Sequence, residues 1–472
     1  MSSKEEAFTF IDLFCGVGGF HAALSGFGGK CVYAVEIDKK AAAVYEKNWG
    51  LNPLGDITLD ANDDVMNVPK HDILVAGFPC QPFSKSGTQK GMEETRGTLF
   101  WNILKIIQEH KPTIVMLENV RNLAGPRHIH EWEVIIKSLR DEGYRVALEP
   151  VVFSPHLLPT SMGGRPQSRE RVFITATYNP KGIGENIDVA PPIASNKPVL
   201  HWNPKEDCSI MDFLEESTLV TGCDLTTNET LWVDAWDDFT QKCYSESDNQ
   251  PPNFPIWADS WVDVMDVESD VYKNFLASPN YETILKLSPL TPKWKAMVLA
   301  KNYVFYLDNE TWLTEWLNKW EVFSDKFPPS RRKLEWQAQG ADRLWNTVMH
   351  FRPSGIRAKK VNYLPTLVAI AQTSIIGPLK RRISPREAAR LQGLPDWFDF
   401  AGQPDASTYK QMGNGVNVGA VWYVLREHVK RDVDVLNTTH LGRKIKKSIL
   451  DSPSSPDVVI VRDTTAAIDT SL

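Results

Sequence analysis

The sequence predicts an α/β protein, with a mostly parallel sheet covered by helices on both faces and a smaller domain inserted before the first is complete. Short β-branched runs alternate with helical patterns over residues 9–178, as is typical of such a sheet. From about 179 to 380 the chain changes to long polar stretches and clustered prolines, and eleven of the 16 tryptophans fall between Trp202 and Trp345. A helical pattern returns over residues 382–433, where we expect the first domain to be completed.

Runs of β-branched and apolar residues predict five strands in the first segment. They are Phe10–Phe14, Cys31–Ile37, Asp72–Gly77, Thr113–Leu117 and Arg171–Ala176. Ligands of parallel sheets bind beyond the carboxyl ends of the strands. The residues that adjoin these runs are therefore the candidate functional residues.

Downstream of the insertion, Ser384 and Pro385 mark the start of a helix, because serine caps helix N-termini and proline fits the first helical position. Residues 381–435 are predicted to complete the first domain. The remaining residues, 436–472, contain the run Ser452-Pro453-Ser454-Ser455-Pro456 and are predicted to form a disordered tail.

Composition excludes several classes of protein. The chain has 472 residues, of which 42% are apolar and 24% charged, which is the balance of a folded protein and not of a fibrous or disordered chain. No window approaches about 18 consecutive apolar residues, so no membrane span is expected. The first residues form no signal or transit sequence. The six cysteines form no CxxC pair, so we expect reduced thiols in a protein that stays inside the cell.

The first motif is Phe14-Cys15-Gly16-Val17-Gly18-Gly19, which follows the first strand. Its glycines let the backbone turn tightly and approach a ligand, although such a turn can also be purely structural. Glu36, at the end of the second strand, can accept both hydroxyls of a ribose. Because the turn lacks GxGxxG spacing and no Lys-Ser/Thr pair follows it, the predicted ligand is a nucleoside without a phosphate chain. Asp56 can read an adenine amino group, or can serve only as a turn former.

Three further motifs carry reactive or charged side chains. Cys80, in Gly77-Phe78-Pro79-Cys80-Gln81-Pro82-Phe83-Ser84, is a candidate nucleophile, although most free cysteines are buried and inert. Glu118 closes the next strand and is a candidate general acid or, alternatively, a capping or salt-bridged residue. Gln167, Arg169 and Arg171 alternate along an extended segment and should point to one face; a solvated surface pair of arginines is the alternative.

Taken in order, these motifs resemble the DNA (cytosine-5)-methyltransferase family, bacterial restriction-modification type. The matching segments cover most of residues 9–178 and 381–425. They are FIDLFCGVGGF (10–20), the acidic end of Cys31–Asp38, GDIT (55–58), GFPCQPFS (77–84), RGTLF (96–100), ENV (118–120), QSRER (167–171), RRISPREAARLQGLPDWF (381–398) and YKQMGNGVNVGAV (409–421). The resemblance implies a Rossmann-like S-adenosylmethionine-dependent methyltransferase domain and a target-recognition domain at 179–380.

The resemblance also implies a mechanism. Cys80 would attack C6 of a cytosine rotated out of duplex DNA, and this covalent step would activate C5 toward the methyl group of S-adenosyl-L-methionine. Glu118 would hold or protonate N3, Arg171 would contact O2, and Arg169 would support the mobile loop. That loop, Ser84–Gly97, would close over the base.

Cofactor and DNA contacts are likewise implied by the resemblance. The cofactor positions are Phe14, Gly16, Gly18, Glu36, Ile37, Asp56, Ile57, Pro79, Leu99, Asn414 and Gly415. Ile37 stands where relatives often have tryptophan, so an aliphatic contact replaces ring stacking and cofactor affinity is expected to be modestly weaker. The DNA contacts are Gln81, Ser84, Ser86, Thr366 and Leu367.

Thr366-Leu367 is the one feature that the insertion shares with the family's variable recognition domain. Base reading is predicted for nearby basic residues, each of which has a solvated surface role as its alternative. These candidates are Arg331, Arg332, Lys333, Arg352, Arg357, Lys359 and Lys360. Trp312, Trp316 and Trp320, at helical spacing, are predicted to form a core stripe and not a base-stacking platform.

The formal net charge of -7 at first argues against a DNA partner, because phosphates call for a basic surface. The charge is unevenly distributed, however. Residues 201–280 hold 17 Asp and Glu against 3 Lys, whereas residues 281–380 hold 15 basic and 8 acidic residues. We expect the basic half of the insertion to meet the duplex and the acidic half to limit non-specific DNA binding.

The resulting expectation is a monomeric enzyme that acts on double-stranded DNA without a metal ion, in the bacterial cytoplasm with the nucleoid. A tRNA cytosine-5 methyltransferase is one alternative, although those relatives have a shorter recognition region with a Cys-Phe-Thr tripeptide that is absent here. A DNA-binding relative without catalytic activity is another. The intact Pro79-Cys80, Glu118, Arg169 and Arg171 set argues against it, because a binding protein has no need of that thiol.

Overall fold

The computed structural model describes residues 6–79, 98–179, 181, 188–247, 250–367 and 373–460. The chain forms two compact units. The first comprises Met1–Ser209, Pro365–Ala371 and Pro385–Leu472, and the second comprises Ile210–Leu364 and Gln372–Ser384. The first boundary lies later than the predicted 178/179, because the first unit extends to Ser209. Trp202 Nε1, for example, donates to His156 O at 2.9 Å.

The N-terminal part of the first unit alternates strands and helices. Its strands are β1 (Phe8–Leu13), β2 (Gly29–Val35), β3 (Ile73–Ala76), β4 (Ile114–Val120), β5 (Tyr144–Val146), β6 (Val151–Phe153), β7 (Gln167–Ser168) and β8 (Arg171–Tyr178). Its helices are α1 (Gly19–Gly26), α2 (Lys39–Trp49), α3 (Ile57–Asp60), α4 (Leu99–His110) and α5 (Ile129–Asp141). All five predicted strands are present, with ends that differ by a few residues.

Seven of these strands form one sheet, in the order β2-β1-β3-β4-β8-β5, with β6 also paired to β8. β2, β1, β3 and β4 are mutually parallel, whereas β8 is antiparallel to β4. The α/β fold class is confirmed. Because β8 runs in the opposite direction, its first residue lies at the same edge as the carboxyl ends of β1 to β4, and Arg171 is paired with Val120.

The central strands are continuous apolar runs because helices cover both faces of the sheet. All four residues of β3 are buried, as are Ile114 to Leu117 of β4. Glu118 and Asn119 follow the apolar run of β4, near its carboxyl end. This arrangement places the functional candidates at one edge of a rigid sheet.

The second unit contains a helical layer and a six-stranded sheet. Its helices are α6 (Thr227–Glu246), α7 (Val262–Met265), α8 (Asp270–Ala277), α9 (Tyr281–Leu287), α10 (Lys293–Asp308) and α11 (Glu310–Trp320). The strands are β9 (Ile256–Trp257), β10 (Lys333–Gln337), β11 (Val348–Arg352), β12 (Gly355–Lys359), β13 (Leu364–Pro365), β14 (Ile375–Ile376) and β15 (Arg381–Arg382). The sheet order is β15-β14-β11-β12-β10-β9.

Tryptophan dominates the core of the second unit. Trp312 and Trp316 are buried and Trp320 packs against the same cluster, which confirms the predicted stripe on α11. Trp316 Nε1 also donates to Ala235 O of α6 at 2.7 Å, so the indole joins two helices. Burying aromatic rings of this size explains how a chain segment with many acidic residues folds.

Two of the predicted base-reading residues make structural contacts within the second unit. Arg331 is buried, with its guanidinium 4.5 Å from the Phe351 ring, and its Nη1 donates to Arg352 O at 2.9 Å. Arg332 pairs with Asp259 at 3.2 Å. The burial of Arg331 contradicts its predicted base-reading role, whereas that role of Arg332 stays a prediction.

The chain after residue 384 completes the first unit. It forms α12 (Pro385–Leu391), α13 (Asp405–Asn414), α14 (Val418–Arg431), α15 (Val433–Leu436) and α16 (His440–Asp451). α12 begins at Pro385, as predicted. The predicted disorder is wrong for residues 436–460, because Ile445 and Ile449 of α16 are fully buried and Asp457 forms an ion pair with Arg165. Residues 461–472 lie outside the described part of the chain.

Within the described ranges, no helix is both long and apolar enough to cross a membrane. The same part of the chain holds no group of three or more His, Cys, Asp and Glu side chains that could bind a metal ion.

Candidate active site

A cavity of about 610 Å³ lies in the first unit, at the edge where β1 to β4 end and β8 begins. This volume is within the range of about 300–1,000 Å³ that is usual for small-molecule sites. Most of the predicted site residues line it: Phe14, Gly16, Glu36, Ile37, Asp56, Ile57, Pro79, Leu99, Glu118, Arg171, Thr366, Leu367, Asn414 and Gly415. The fold thus brings together segments that are far apart in sequence.

The turn after β1 forms one wall of the cavity. Phe14, Gly16 and Gly18 have φ values of 56°, 55° and 92°, in the left-handed region that favours glycine. Gly18 does not line the cavity but is packed against Trp49: a Cβ at Gly18 would lie 2.1 Å from the indole Nε1. The Trp49 indole also donates from Nε1 to Val17 O at 3.0 Å, so this side chain fixes the shape of the turn.

Glu36 links the turn to the end of β2. Its Oε2 accepts from Gly16 N at 2.9 Å, and its Oε1 accepts from Asp38 N at 2.8 Å. Each carboxylate oxygen can accept a second hydrogen bond. The backbone contacts therefore orient the carboxylate at the cavity wall and leave it able to accept from two ligand hydroxyls.

Asp56 and Ile57 form the neighbouring wall. Asp56 Oδ1 caps α3 by accepting from Thr58 N at 3.0 Å and from Thr58 Oγ1 at 2.8 Å. Its Oδ2 has no hydrogen-bond partner among the described residues. Ile37 lines the cavity with 72% of its surface exposed, which leaves an aliphatic surface open to a ligand.

Glu118 and Arg171 form a buried ion pair in the same cavity. Arg171 Nε lies 3.0 Å from Glu118 Oε1, because the antiparallel pairing of β4 and β8 puts the end of one beside the start of the other. Burial raises the pKa of Glu118, and the nearby Arg171 and Arg169 guanidinium groups only partly oppose this effect. The site therefore presents a carboxyl group that takes up a proton readily beside a fixed cation.

Arg169 is fully buried and does not line the cavity. Its Nη2 donates to Gly413 O at 2.9 Å and to Gly415 O at 2.6 Å, and its Nη1 lies 3.5 Å from Leu367 O. Burial and repulsion from Arg171 lower the pKa of Arg169 to about 9. Arg169 thus holds the turn that contains Asn414, and its predicted support of the loop 84–97 falls outside the described residues.

Thr366 and Leu367 lie at the cavity wall beside this turn. Thr366 Oγ1 donates to Ser168 O at 2.6 Å, immediately before Arg169 in the 167–171 segment. Gln392 Nε2 donates to both Met412 O, at 2.8 Å, and Gln167 Oε1, at 3.2 Å. The segment 167–171 and the turn 412–415 are therefore cross-linked by side-chain hydrogen bonds.

Cys80, Gln81, Ser84 and Ser86 lie outside the described residues. The backbone that leads to Cys80 is described as far as Pro79, which lines the cavity. Asn119 Nδ2 donates to Phe78 O at 2.8 Å, so the end of β4 anchors the chain two residues before the cysteine. The residue after Glu118 thus has a positioning role that its sequence motif alone does not specify.

Two contributions to the site were missed from the sequence. Trp49 shapes the glycine turn although it lies 31 residues after Gly18, at the end of α2. Lys410 and Asp38 line the cavity and approach each other to 3.2 Å, which joins α13 to the start of α2. Neither carries a local signal, because both depend on which helices the fold brings together.

Comparisons with known proteins identify the family of the chain. A family model described as C-5 cytosine-specific DNA methylase matches residues 8–430. The chain is 48% identical to Type II methyltransferase M.AluI of Cellulosimicrobium cellulans, over 98% of this chain and 99% of that relative. It is 43% identical to Type II methyltransferase M.HhaI of Haemophilus parahaemolyticus, over 40% of this chain and 54% of the relative. It is 42% identical to M.HpaII of Haemophilus parainfluenzae, over 38% of this chain and 48% of the relative.

Proposed function

We propose a mechanism for this chain, which belongs to the C-5 cytosine-specific DNA methylase family and is a DNA (cytosine-5)-methyltransferase. In this mechanism the methyl group of S-adenosylmethionine is transferred to C5 of a cytosine that has left duplex DNA and entered the cavity. The observation that carries the proposal is one cavity with two kinds of surface. Glu36 and its turn suit a nucleoside, and the Glu118–Arg171 pair suits the polar edge of a pyrimidine.

The nucleoside side of the cavity fits S-adenosylmethionine. When bound, this cofactor supplies an electrophilic methyl group on a positively charged sulfur. Glu36 has acceptor capacity for two ribose hydroxyls, and Asp56 Oδ2 has it for the adenine amino group. Phe14 and Ile37 offer apolar surface to the adenine ring.

Glu118 and Arg171 bind the cytosine edge in this mechanism. Protonated Glu118 donates to N3, and Arg171 donates to O2. The raised pKa of Glu118 supports this role, because the proton must be available near neutral pH. As a nucleophile adds to C6, negative charge develops on the ring and is stabilised by donors that are already in position.

Cys80 is the proposed nucleophile. Its Sγ forms a bond with C6, which makes C5 electron-rich. Methyl transfer to C5 would release S-adenosylhomocysteine. A base then removes the C5 proton, the electron pair of that bond re-forms the C5–C6 double bond, and Cys80 leaves C6 as a thiolate, which gives 5-methylcytosine. The anchored backbone at Phe78 and the cavity-lining Pro79 support this assignment, because Cys80 follows them directly in the chain.

The buried position of Glu118 requires the cytosine to leave the base stack. Rotating a base out of a duplex costs a few kcal/mol and is general for enzymes that act on buried ring atoms. Thr366 and Leu367, at the cavity wall beside Arg171, are proposed to contact the DNA strand at this point.

The direct test incubates the purified protein with S-adenosylmethionine carrying a labelled methyl group and either duplex DNA or tRNA. We expect label in DNA, at C5 of cytosine, and none in tRNA. Labelling of tRNA alone would contradict the proposal in favour of the tRNA-directed alternative. No labelling of either, with retained DNA binding, would favour a non-catalytic relative.

We further propose that the chain shares its target sequence with M.AluI and protects DNA in the bacterial cytoplasm from the matching restriction endonuclease. The identity to M.AluI covers 98% of this chain and so includes the second unit, whereas the matches to M.HhaI and M.HpaII cover at most 40%. Sequencing 5-methylcytosine in DNA modified by each enzyme tests this proposal. Different flanking sequences would contradict it.

A further inference from the structure

The six-stranded sheet of the second unit has two contrasting faces. Side chains alternate along each strand, so one face carries Leu334, Trp336, Ile356, Ala358 and Met349, all buried in the tryptophan-rich core. The alternate positions form the opposite face, which is half-buried to exposed. They are Lys333, Glu335 and Gln337 of β10, Arg357 and Lys359 of β12, and His350 and Arg352 of β11.

This second face, here called the basic sheet face, concentrates positive charge. The strand register pairs Arg357 with both Glu335 and His350, and Gln337 with Lys359. Burial lowers the pKa of Lys359, and repulsion from Arg357 and Arg352 lowers it further. Burial and the neighbouring cations also lower the pKa of His350 to about 4, so this imidazole is neutral at physiological pH. Cations held close enough to repel one another cost stability, unless an anionic partner binds them.

Glu335 is the single acidic residue of this face, and it orients Arg357. Arg357 Nε donates to Glu335 Oε2 at 2.6 Å, and Nη2 approaches the same oxygen at 2.5 Å. Ser354 Oγ donates to the other carboxylate oxygen, Oε1, at 3.2 Å. The side chains of Arg357 and Glu335 are only 25% and 15% exposed, so this geometry is held by packing as well as by charge.

The contact with Glu335 uses one side of the guanidinium fork and leaves the other side available. Nη1 makes no hydrogen bond to the described residues, and Nη2 has a second N–H. These two groups can donate together to O6 and N7 of a guanine, which is the most common specific contact of arginine with DNA. Lysine can donate to the same two acceptors, but its single ammonium group lacks the fixed, planar fork of arginine.

We propose that Arg357, held by Glu335, is a specificity-determining residue that reads a guanine in the target sequence, while Arg352 and Lys359 contact phosphates. The inference rests on the proposed action on duplex DNA. It distinguishes Arg357 from Arg331, whose guanidinium is buried against the Phe351 ring.

The experiment begins by mapping the target sequence from 5-methylcytosine in DNA modified by the wild-type protein. Duplexes are then made in which each guanine of that sequence is replaced in turn by 7-deazaguanine, which lacks the N7 acceptor. The measured quantity is kcat/KM for wild type, Arg357→Lys and Arg352→Lys.

At one guanine, the replacement should lower the wild-type value about 5- to 150-fold, the range for a good paired contact. Arg357→Lys should lower kcat/KM on unmodified DNA and show a smaller further loss than the wild type at that guanine, because one ammonium group does not hold both acceptors in a fixed geometry. Arg352→Lys, the matched control, should weaken all duplexes equally and retain the wild-type preference. Glu335→Gln keeps Arg357 but removes the charge that orients it. This variant should reduce the loss of kcat/KM caused by 7-deazaguanine at the same guanine only.

The assignment would be overturned if Arg357→Lys and Glu335→Gln both lost as much kcat/KM as the wild type at every guanine replaced by 7-deazaguanine. A target sequence without guanine would also overturn it, while leaving the methyltransferase activity intact. Absence of 5-methylcytosine with wild-type protein would overturn both the assignment and the proposed function. Binding of S-adenosylhomocysteine, measured in parallel, should be unchanged in all three variants and verifies that the first unit is folded.

Discussion

Replacing Gly18 with alanine tests how the cofactor turn is held. At Gly18 the φ is 92°, and an added Cβ would lie 2.1 Å from Nε1 and 2.8 Å from Cδ1 of Trp49. The indole cannot withdraw freely, because Nε1 donates to Val17 O at 3.0 Å and the ring stacks on His21 at 4.6 Å. The substitution must therefore displace the turn, the indole, or both.

The expected magnitude follows from these contacts. A left-handed alanine costs about 1–2 kcal/mol, and loss of the Trp49–Val17 hydrogen bond costs about 0.5–1.5 kcal/mol. The free energy of unfolding should therefore fall by about 1.5–3.5 kcal/mol. Because Gly16 in the same turn donates to Glu36, cofactor affinity should also fall, by about tenfold or more, which corresponds to about 1.4 kcal/mol.

The assay is calorimetric titration with S-adenosylhomocysteine, together with urea denaturation. Gly50→Ala is the matched control, because Gly50 has a φ of 72° and nothing within 4 Å of its added Cβ. It should lose a similar backbone contribution to stability and keep wild-type affinity. Equal affinity losses in the two variants, or wild-type binding by Gly18→Ala, would refute the reasoning.

Three other predictions concern buried charges. Glu118→Gln should lower kcat by about 10²–10⁴-fold. In the wild type, kcat should decline as pH rises through the raised pKa of Glu118, and the variant should lose this decline. The same pH profile in both proteins would contradict this prediction. Burial raises the pKa of Asp12 above its usual value of 3.8, so the free energy of unfolding of the wild type should fall as pH rises above that value. Asp12→Asn lacks this titration and should gain up to about 1.4 kcal/mol per pH unit relative to the wild type in denaturant titrations. Parallel stability curves for the two proteins would count against this prediction. Asp457→Ala removes the carboxylate that accepts from the buried Arg165 at 3.0 Å and should lower the free energy of unfolding by about 1.5–3 kcal/mol. An unchanged urea midpoint would show that residues 453–460 do not stabilise the first unit.

Local patterns were sufficient to predict much of the first unit. Runs such as Thr113–Leu117 predict buried strands, and Glu118, the first polar residue after this run, lies near the carboxyl end of β4. Its contact with Arg171 could not be predicted in this way, because it depends on β8 running antiparallel to β4. Hydrophobic periodicity carries no information on strand direction.

Other predictions failed because charge and composition hid the packing. α16 contains Arg443, Lys444, Lys446 and Lys447, and this polarity concealed Ile445 and Ile449 at i, i+4 spacing. Arg331 and Arg332 have the same residue type as Arg357, yet only the register of β10, β11 and β12 shows which arginine lies on the basic sheet face. Side-chain chemistry identified the candidates, and tertiary structure decided between them.

The central claim is a covalent bond between Cys80 and C6 of cytosine in the cavity that holds Glu118 and Arg171. It is tested most directly with duplex DNA in which the target cytosine is replaced by 5-fluorocytosine. Fluorine cannot leave C5 as a proton does, so the last step is blocked and the adduct persists. In the presence of S-adenosylmethionine we predict a DNA–protein complex that survives denaturation, with the DNA mapped to the Cys80 peptide by mass spectrometry and no complex with Cys80→Ser. A persistent complex at another residue, or rapid methylation by Cys80→Ser, would contradict the mechanism.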